Sequence, residues 1–332
     1  MKIASISKPI TMAMVAKQWE AKKLDLDADV ASFVEGWPTK TWDGEKVSVT
    51  ARQLANHMSG VRNYLKLEGA NQKPGVPEVC PDKMQYEEYF ITDHFKDVNA
   101  AMGLFKNDAL VSKPGTEFLY SNHGYTVLAA CIESATKEKF TTYAKRFFKD
   151  LDMKNTYAED DGTLMYNRSG QYTKTQSGVL INAPYVNPSF KIAGAGMWSS
   201  AIDLTKFGNA ILSSYQNANA SKYRTLLLPG TVRMLWTPAE NVKCYWSQTG
   251  GYGLGWQTEP YDKKAGRIKD LNERFFVGHT GGTVGASSIL WMLPSDGGGE
   301  GRPKGVVVAM ISNLNVNMRD AATDIAKLFE DL

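Results

Sequence analysis

Apolar residues recur at three- and four-residue steps almost from the start of the chain. Ile10 and Met14 form one such set, and Met12, Val15 and Trp19 another, which predicts an amphipathic helix over roughly 6–21. The polar turn "KKLDLDADV" ends it. Thr50 is a good N-cap for a short helix, "ARQLANHM", that stops at Ser59-Gly60. From 65 to 100 the chain is polar and irregular, with "KPGVPEVCP" in its middle, and predicts a long surface excursion. "GYTVLAACIESAT", "TTYAKRFFKDLDM", "AIDLTKFGNAIL" and "TVRMLW" read as helices, and "AGAGMW" sets a glycine turn before the third. Then the pattern changes. "FFVGHTGG", "ASSILWML" and "GVVVAMIS" are β-rich runs separated by glycine and proline, as in successive antiparallel strands. "DAATDIAKLFEDL" closes the chain as an amphipathic helix. The expected class is α+β, an antiparallel sheet flanked by helices with a helical region inserted. We read one domain over 1–332, with a helical region at about 10–270, strands at about 275–313 and a last helix at about 319–332.

Composition narrows the classes. With 332 residues, 43% hydrophobic and 22% charged, the chain has the make-up of an ordinary globular protein whose core needs no disulfide staple. The net charge of +3 and the lack of a basic tract imply neither nucleic acid nor an acidic membrane surface as partner. No apolar run approaches the ~18 residues of a membrane span. Cys80, Cys131 and Cys244 are far apart, and no Cys/His spacing suggests zinc. Cys131, in "LAACIE", reads as a small hydrophobe on a helix face. No metal or other cofactor is expected.

The opening "MKIASISKPITMAMVAKQWE" supports two readings. A lysine followed by apolar and small residues suggests a secretory leader, but Lys8 and Pro9 break the apolar run early and the pattern continues past any cleavage site. Alternatively Ser5 and Lys8 form S-x-x-K. At i and i+3 of a helix their side chains share a face, and a serine at a helix start has backbone N–H groups beside it to hold an oxyanion. The pattern is cheap, because "SATK" at 134–137 matches it too, and a capping serine beside a surface lysine is the plain reading. Tyr120 and Asn122 form Y-x-N before a helix. A tyrosine there can move a proton and an amide can hold a carbonyl, but "YVN" at 185–187 matches equally well. His279, Thr280, Gly281 and Gly282 form H-T-G-G, which occurs once. Its glycines allow a close backbone approach, and the Gly282 N–H is a candidate oxyanion donor; a glycine-rich turn is the plain reading. We take His57 as a helix-packing residue and place His94 and His123 at or near the surface. G-x-S-x-G is absent, and "GAG" at 194–196 is no dinucleotide fingerprint.

Taken together and in this order, S-x-x-K, Y-x-N and H-T-G resemble the penicillin-binding-protein and class C β-lactamase superfamily. "ASISKPIT", "VTARQLANHMSGVRNY", "LFKNDALVSKPGTEFLYSNHGYTVLAACIE", "AGAGMWSSAIDLTKFGNAIL" and "HTGGTVGASSILWMLP" are similar to its animal mitochondrial serine β-lactamase-like branch. The resemblance implies a β-lactamase/transpeptidase-like fold with the three motifs lining one cleft. It also implies a mitochondrial serine peptidase or esterase, in a branch that assembles into filaments. Ser5 is then the nucleophile that becomes acylated, Lys8 and Tyr120 move the proton, and Asn122 orients the substrate. His279, Thr280, Gly281 and Gly282 bind substrate, with Ser5 N–H and Gly282 N–H as the oxyanion hole. Histidine in place of the lysine often found in the third motif is mostly neutral at pH 7, so activity on penicillins is expected to be weak. The implied partners are a peptide or small ester or amide and further copies of the chain. A cytoplasmic location, a catalytically silent self-assembling scaffold, and a bacterial-type D,D-carboxypeptidase or β-lactamase are the alternatives. The chain departs from the family in having four residues before Ser5, where a helix and two strands are usual, and no Arg-rich transit segment. From this we expect an N-terminally truncated chain whose sheet has an open edge.

Overall fold

The computed structural model describes all residues except 66–86, 159–161, 176, 241, 243–246, 263, 265, 269–270, 296–302 and 331–332. Most of the predicted excursion, together with Cys80 and Cys244, lies outside the described residues; Cys131 is buried.

A 3-10 turn at Ala4–Ile6 leads into α1 (Ser7–Glu20). A hairpin of β1 (Lys40–Trp42) and β2 (Glu45–Val47) precedes α2 (Ala51–Ala55). Thr50 caps α2 in a reciprocal box with Gln53. Then come α3 (Val98–Met102), α4 (Asn122–Thr136) and α5 (Phe140–Asp150). A second hairpin joins β3 (Tyr172–Lys174) to β4 (Leu180–Asn182). It is followed by α6 (Ile192–Ala195), α7 (Ala201–Tyr215) and α8 (Pro229–Trp236). The main sheet is an antiparallel meander of β5 (Gly251–Tyr252), β6 (Gln257–Pro260), β7 (Phe275–Thr283), β8 (Ala286–Pro294) and β9 (Gly305–Ser312), and α9 (Arg319–Leu328) closes the chain. The α+β class is as expected. Two boundaries are corrected. The main sheet begins at Gly251, and hairpins interrupt the stretch read as helical up to about 270. Their strands have two to four residues, too few to show an alternating pattern.

Alternation along the sheet sorts side chains between two cores. Phe275 and Val277 of β7, with Leu290 and Met292 of β8, face the helical core that includes α1, α4 and α7. Phe276, Ile289, Trp291 and Leu293 face Ala322 and Ala326 of α9. Covered on both faces, β8 is buried throughout. Among the described residues no strand pairs with the outer edge of β9.

The first helix is the main departure from its sequence pattern. It is not amphipathic in the fold: Ser7–Ala16 and Gln18 are all buried. Polar members of this set are bonded inside. Thr11 Oγ1 donates to Ala193 O at 2.8 Å, and Gln18 Nε2 donates to Tyr143 Oη at 2.6 Å. Burying Ile10, Met12, Met14 and Val15 contributes about 1.5–3 kcal/mol each, so α1 is a core helix. Pro9 is tolerated because it lies in the first turn, where backbone N–H groups have no intrahelical acceptor.

Gly278 shows how tightly β7 and β8 meet: a Cβ there would strike Leu290 O and lie 2.8 Å from the Trp291 ring. We predict that Gly278→Ala destabilises the fold by about 1–3 kcal/mol, read as a fall in calorimetric Tm. An unchanged Tm would contradict this packing.

Candidate active site

Ser5 is held between helix and sheet. Ile3 N–H donates to Met197 O at 3.0 Å, and Ser288 Oγ of β8 donates to Ile3 O at 2.7 Å. Ala4 then takes a left-handed backbone, φ +45°, which is uncommon for a residue with a Cβ. Ser7 Oγ donates to Ala4 O at 2.7 Å and accepts from Met197 N–H at 3.1 Å. From Lys2 to Ala16 every residue is buried except Ser5, which is partly exposed.

One turn on, Lys8 is completely buried. Its Nζ lies 3.1 Å from Ser5 Oγ, 2.7 Å from Asn122 Oδ1 and 2.7 Å from Gly194 O. It also lies 4.5 Å from the centroid of the Tyr120 ring. Burial pushes its pKa well below the ordinary lysine range, and the charge of Lys191 adds to the effect. Lys191 is itself buried among the rings of Tyr64, Tyr89 and Phe190, and burial, with Lys2 nearby, pushes it down to about 7.

From the loop just before α4, Tyr120 Oη donates to Ser5 Oγ at 2.9 Å. This tyrosine is positioned by the start of α4. Ser121 Oγ caps the helix, accepting from Gly124 N–H at 3.1 Å and donating to Arg62 O at 2.7 Å. Asn122 N–H donates to Asn63 Oδ1 at 3.0 Å. Beneath this loop Arg62 pairs with Glu88 at 2.7 Å and Asp108 at 2.5 Å, and His123 Nε2 meets Glu88 at 2.9 Å. Burial alone would raise the Glu88 pKa, but His123 and Arg62 outweigh it and hold it at about 2. His123, read as near-surface, is therefore a fully buried part of this network, stacked on Phe105.

The third motif runs along β7. Gly281 sits against the serine turn: a Cβ there would collide with Ile3 O and Ser288 Oγ and lie 3.2 Å from Ser5 N. Gly282 is exposed, with open space where a Cβ would go. Thr280 N–H points toward β6, donating to Gln257 Oε1 at 3.4 Å. Backbone direction alternates, so the Gly282 N–H points the same way, past the end of the β6 pairing at Gly278. Thr280 is half-buried. His279 corrects the sequence reading. Its parity with Phe275 and Val277 turns it into the protein, 1% exposed. Nε2 meets Tyr252 Oη at 3.0 Å and Nδ1 meets Thr280 O at 2.6 Å, so neither ring nitrogen is left for a substrate. Burial, then the charge of Lys8, pushes its pKa down to about 3.

The competing motif matches separate clearly. Ser134 Oγ donates to Phe33 O, Lys137 is the left-handed cap of α4, and Asn187 bonds Tyr185 within its own loop. Tyr252, Lys191 and the carbonyl of Gly194 were not singled out by sequence. The one local signal was a tyrosine between glycines in "GGYGLGW".

A nucleophile-sized hydroxyl flanked by a buried amine and a phenol, on a helix facing a sheet edge, defines the class. Residues 1–331 match the family model described as Beta-lactamase, and the chain belongs to that family of serine hydrolases. It is similar to the serine beta-lactamase-like protein LACTB, mitochondrial, of Bos taurus, at 36% identity over 99% of this chain and 70% of that protein. Among solved structures it resembles a D-stereospecific amidohydrolase from Streptomyces sp., with TM-score 0.69 and 21% identity over 99% of this chain and 86% of that one. It also resembles an octameric penicillin-binding protein homologue from Pyrococcus abyssi, with TM-score 0.72 and 20% identity over 98% and 65%. These last two likenesses are of fold. Among the described residues no helix is long and apolar enough to cross a membrane.

The two glycines of the third motif should respond differently to a methyl group. We predict that Gly281→Ala cuts fluorophosphonate labelling of Ser5 at least tenfold by displacing the serine turn, at a packing cost of about 1–3 kcal/mol. Gly282→Ala should keep the wild-type Tm. Equal labelling of Gly281→Ala and wild type would refute the contact.

Proposed function

We propose that this chain is a serine hydrolase that cleaves peptide or ester bonds through an acyl-enzyme, with Ser5 as nucleophile. The observation that carries this reading is the set of partners around Lys8. Asn122 Oδ1 and Gly194 O can only accept hydrogen bonds. A neutral amine has two hydrogens, and these two acceptors take both. Its lone pair then faces Ser5 Oγ, where it can take a proton. A protonated Lys8 would instead give its third hydrogen to Ser5 and could not act as base. Burial and the Lys191 charge both favour the neutral form.

Acylation follows from that geometry. Ser5 Oγ attacks the carbonyl carbon as its proton passes to Lys8 Nζ. The carbonyl electron pair moves to oxygen, where Ser5 N–H and Gly282 N–H receive it. Each such donor is worth about 3–4 kcal/mol, and a placed base about 10²–10⁴ in rate. When the tetrahedral species collapses, the bond to the leaving amine or alkoxide breaks. Tyr120 Oη gives its proton to that group and takes in exchange the one held by Lys8, so Ser5 Oγ stays bonded to the acyl carbon. Water then repeats the sequence and frees the acid. Asn122 has its oxygen on Lys8, so its amide nitrogen is the end that faces a substrate carbonyl. The third motif carries no cation, because His279 is neutral, and we expect weak hydrolysis of penicillins. Relatives named as mitochondrial support a mitochondrial location. The octameric homologue supports self-association.

Ser5→Ala should abolish labelling by a fluorophosphonate probe while leaving the Tm within a few degrees; persistent labelling would assign the nucleophile elsewhere. The pH profile tests the base. Labelling should fall on the acid side as Lys8 gains its proton, at a pH well below the ordinary lysine value. Lys191→Met removes the like charge, raises the Lys8 pKa and moves that limb to higher pH. A limb that stays in place in Lys191→Met would remove Lys191 from the account.

A further inference from the structure

A directed chain of hydrogen bonds joins the second motif to the third, and Tyr252 is its centre. Its directions can be worked out from groups that have no choice. Ser121 N–H can only donate, and it meets His57 Nδ1 at 3.2 Å. In neutral His57 the proton is therefore on Nε2, which lies 3.2 Å from Tyr252 Oη and donates to it. At the other end Thr280 O can only accept, and His279 Nδ1 lies 2.6 Å from it. Neutral His279 thus has a bare Nε2, and Tyr252 Oη, 3.0 Å away, donates to it. The path reads Ser121 N–H, His57, Tyr252, His279, Thr280 O, with every proton pointing toward β7.

We propose that Tyr252 is a positioning residue of the active site, acting with His57 and His279 to hold the Tyr120-Asn122 turn at a set distance from the Gly281-Gly282 edge. This deepens the serine hydrolase reading and rests on it. The path starts at the residue between Tyr120 and Asn122 and ends on the residue before Gly281. His57 lies in a left-handed backbone, φ +63°, at the end of α2, and its ring packs 4.2 Å from the Tyr120 ring. It therefore backs the phenol that meets Ser5 Oγ. All three members of the path are buried, at 0–1% exposure. A misplaced partner cannot be replaced by water there without opening the core. Burial, the largest cause for each ring, keeps both imidazoles neutral, which the assigned directions require. Tyr125 Oη, whose proton goes to Ala55 O at 2.8 Å, also lies within hydrogen-bond reach of Tyr252 and can only accept from it; the directions hold because a bare His279 Nε2 needs the same Tyr252 proton at 3.0 Å.

Two measurements on the full chain test this. First, the imidazole nitrogens of the wild-type protein are read by ¹⁵N-¹H correlation NMR. The expected result is opposite neutral tautomers, His57 protonated at Nε2 and His279 at Nδ1. The same tautomer in both, or a charged ring at pH 7, overturns the path whether or not the protein is a hydrolase. Second, Tyr252→Phe removes one hydroxyl and keeps the ring. Fluorophosphonate labelling of Ser5 should slow about 10- to 100-fold, as expected for a small misplacement of reacting groups, through the maximal rate rather than the probe's half-saturation. Adding His279→Gln should slow it little further, because the path is already cut. A wild-type rate in Tyr252→Phe, or losses that multiply in the double variant, overturns the positioning role. Absence of Ser5 labelling in the wild type refutes the hydrolase reading itself.

Discussion

The rest of the site depends on an amine that has been taken out of water. Lys8 Nζ is fully buried, and leaving an ammonium there costs several kcal/mol in lost hydration. The fold avoids most of that cost by favouring the neutral form and supplying acceptors for its two hydrogens. Those acceptors come from different elements, Asn122 at the start of α4 and Gly194 in α6. The amine is thus the joint of α1, α4 and α6. Gly194 makes the joint possible, because even a Cβ there would press to 3.1 Å from Asn122 Oδ1. With Lys8 in the interior, α1 has to be surrounded, and the serine one turn before it has to lie at the surface of that packing.

The second constraint is the approach of the serine turn to the sheet. The left-handed Ala4 costs about 1–2 kcal/mol relative to ordinary helical backbone. The bonds made by Ser7 and Ser288 on either side are each worth about 0.5–1.5 kcal/mol net. They are of the size needed to hold the strain. The absence of a side chain at Gly281 lets the turn settle against β7. Strain in the turn that carries Ser5 is therefore held in part by a sheet residue almost three hundred positions away in the chain, which ties the geometry of Ser5 to completion of β7 and β8.

The long helices and the three long strands were legible in the sequence because their side chains repeat with the period of the element. The order of the three motifs carried the fold family. What was misread has a common cause, which is that polarity does not report exposure when a partner is waiting inside. Ser7, Lys8, Thr11 and Gln18 look like the wet face of a helix, and each is bonded in the core. His123 looks like a surface residue and is paired with Glu88. His279 reads as a ligand contact, yet its place in the β7 alternation, in step with Phe275 and Val277, predicts an inward ring. The short strands β5 and β6 left no periodic trace, and Tyr252 was missed with them. Local sequence also could not separate Ser5-Lys8 from Ser134-Lys137, because the difference is which other elements arrive.

The electrostatics around Ser5 follow from these contacts. Among the described residues no carboxylate hydrogen-bonds to Ser5, Lys8 or Asn122, and the buried acid nearest this loop, Glu88, is taken up by Arg62 and His123. The site therefore does not raise the basicity of a histidine with an acid partner. It lowers the basicity of an amine by burial and by a second lysine, and burial likewise lowers that of the two interior histidines, His57 and His279. Such an amine is sensitive to the dryness of its surroundings. Water reaching Lys8 would restore the ammonium and make Lys8 the donor in its hydrogen bond to Ser5. The same burial that holds α1 in the core thus sets the protonation state of the amine and the direction of its hydrogen bond to Ser5.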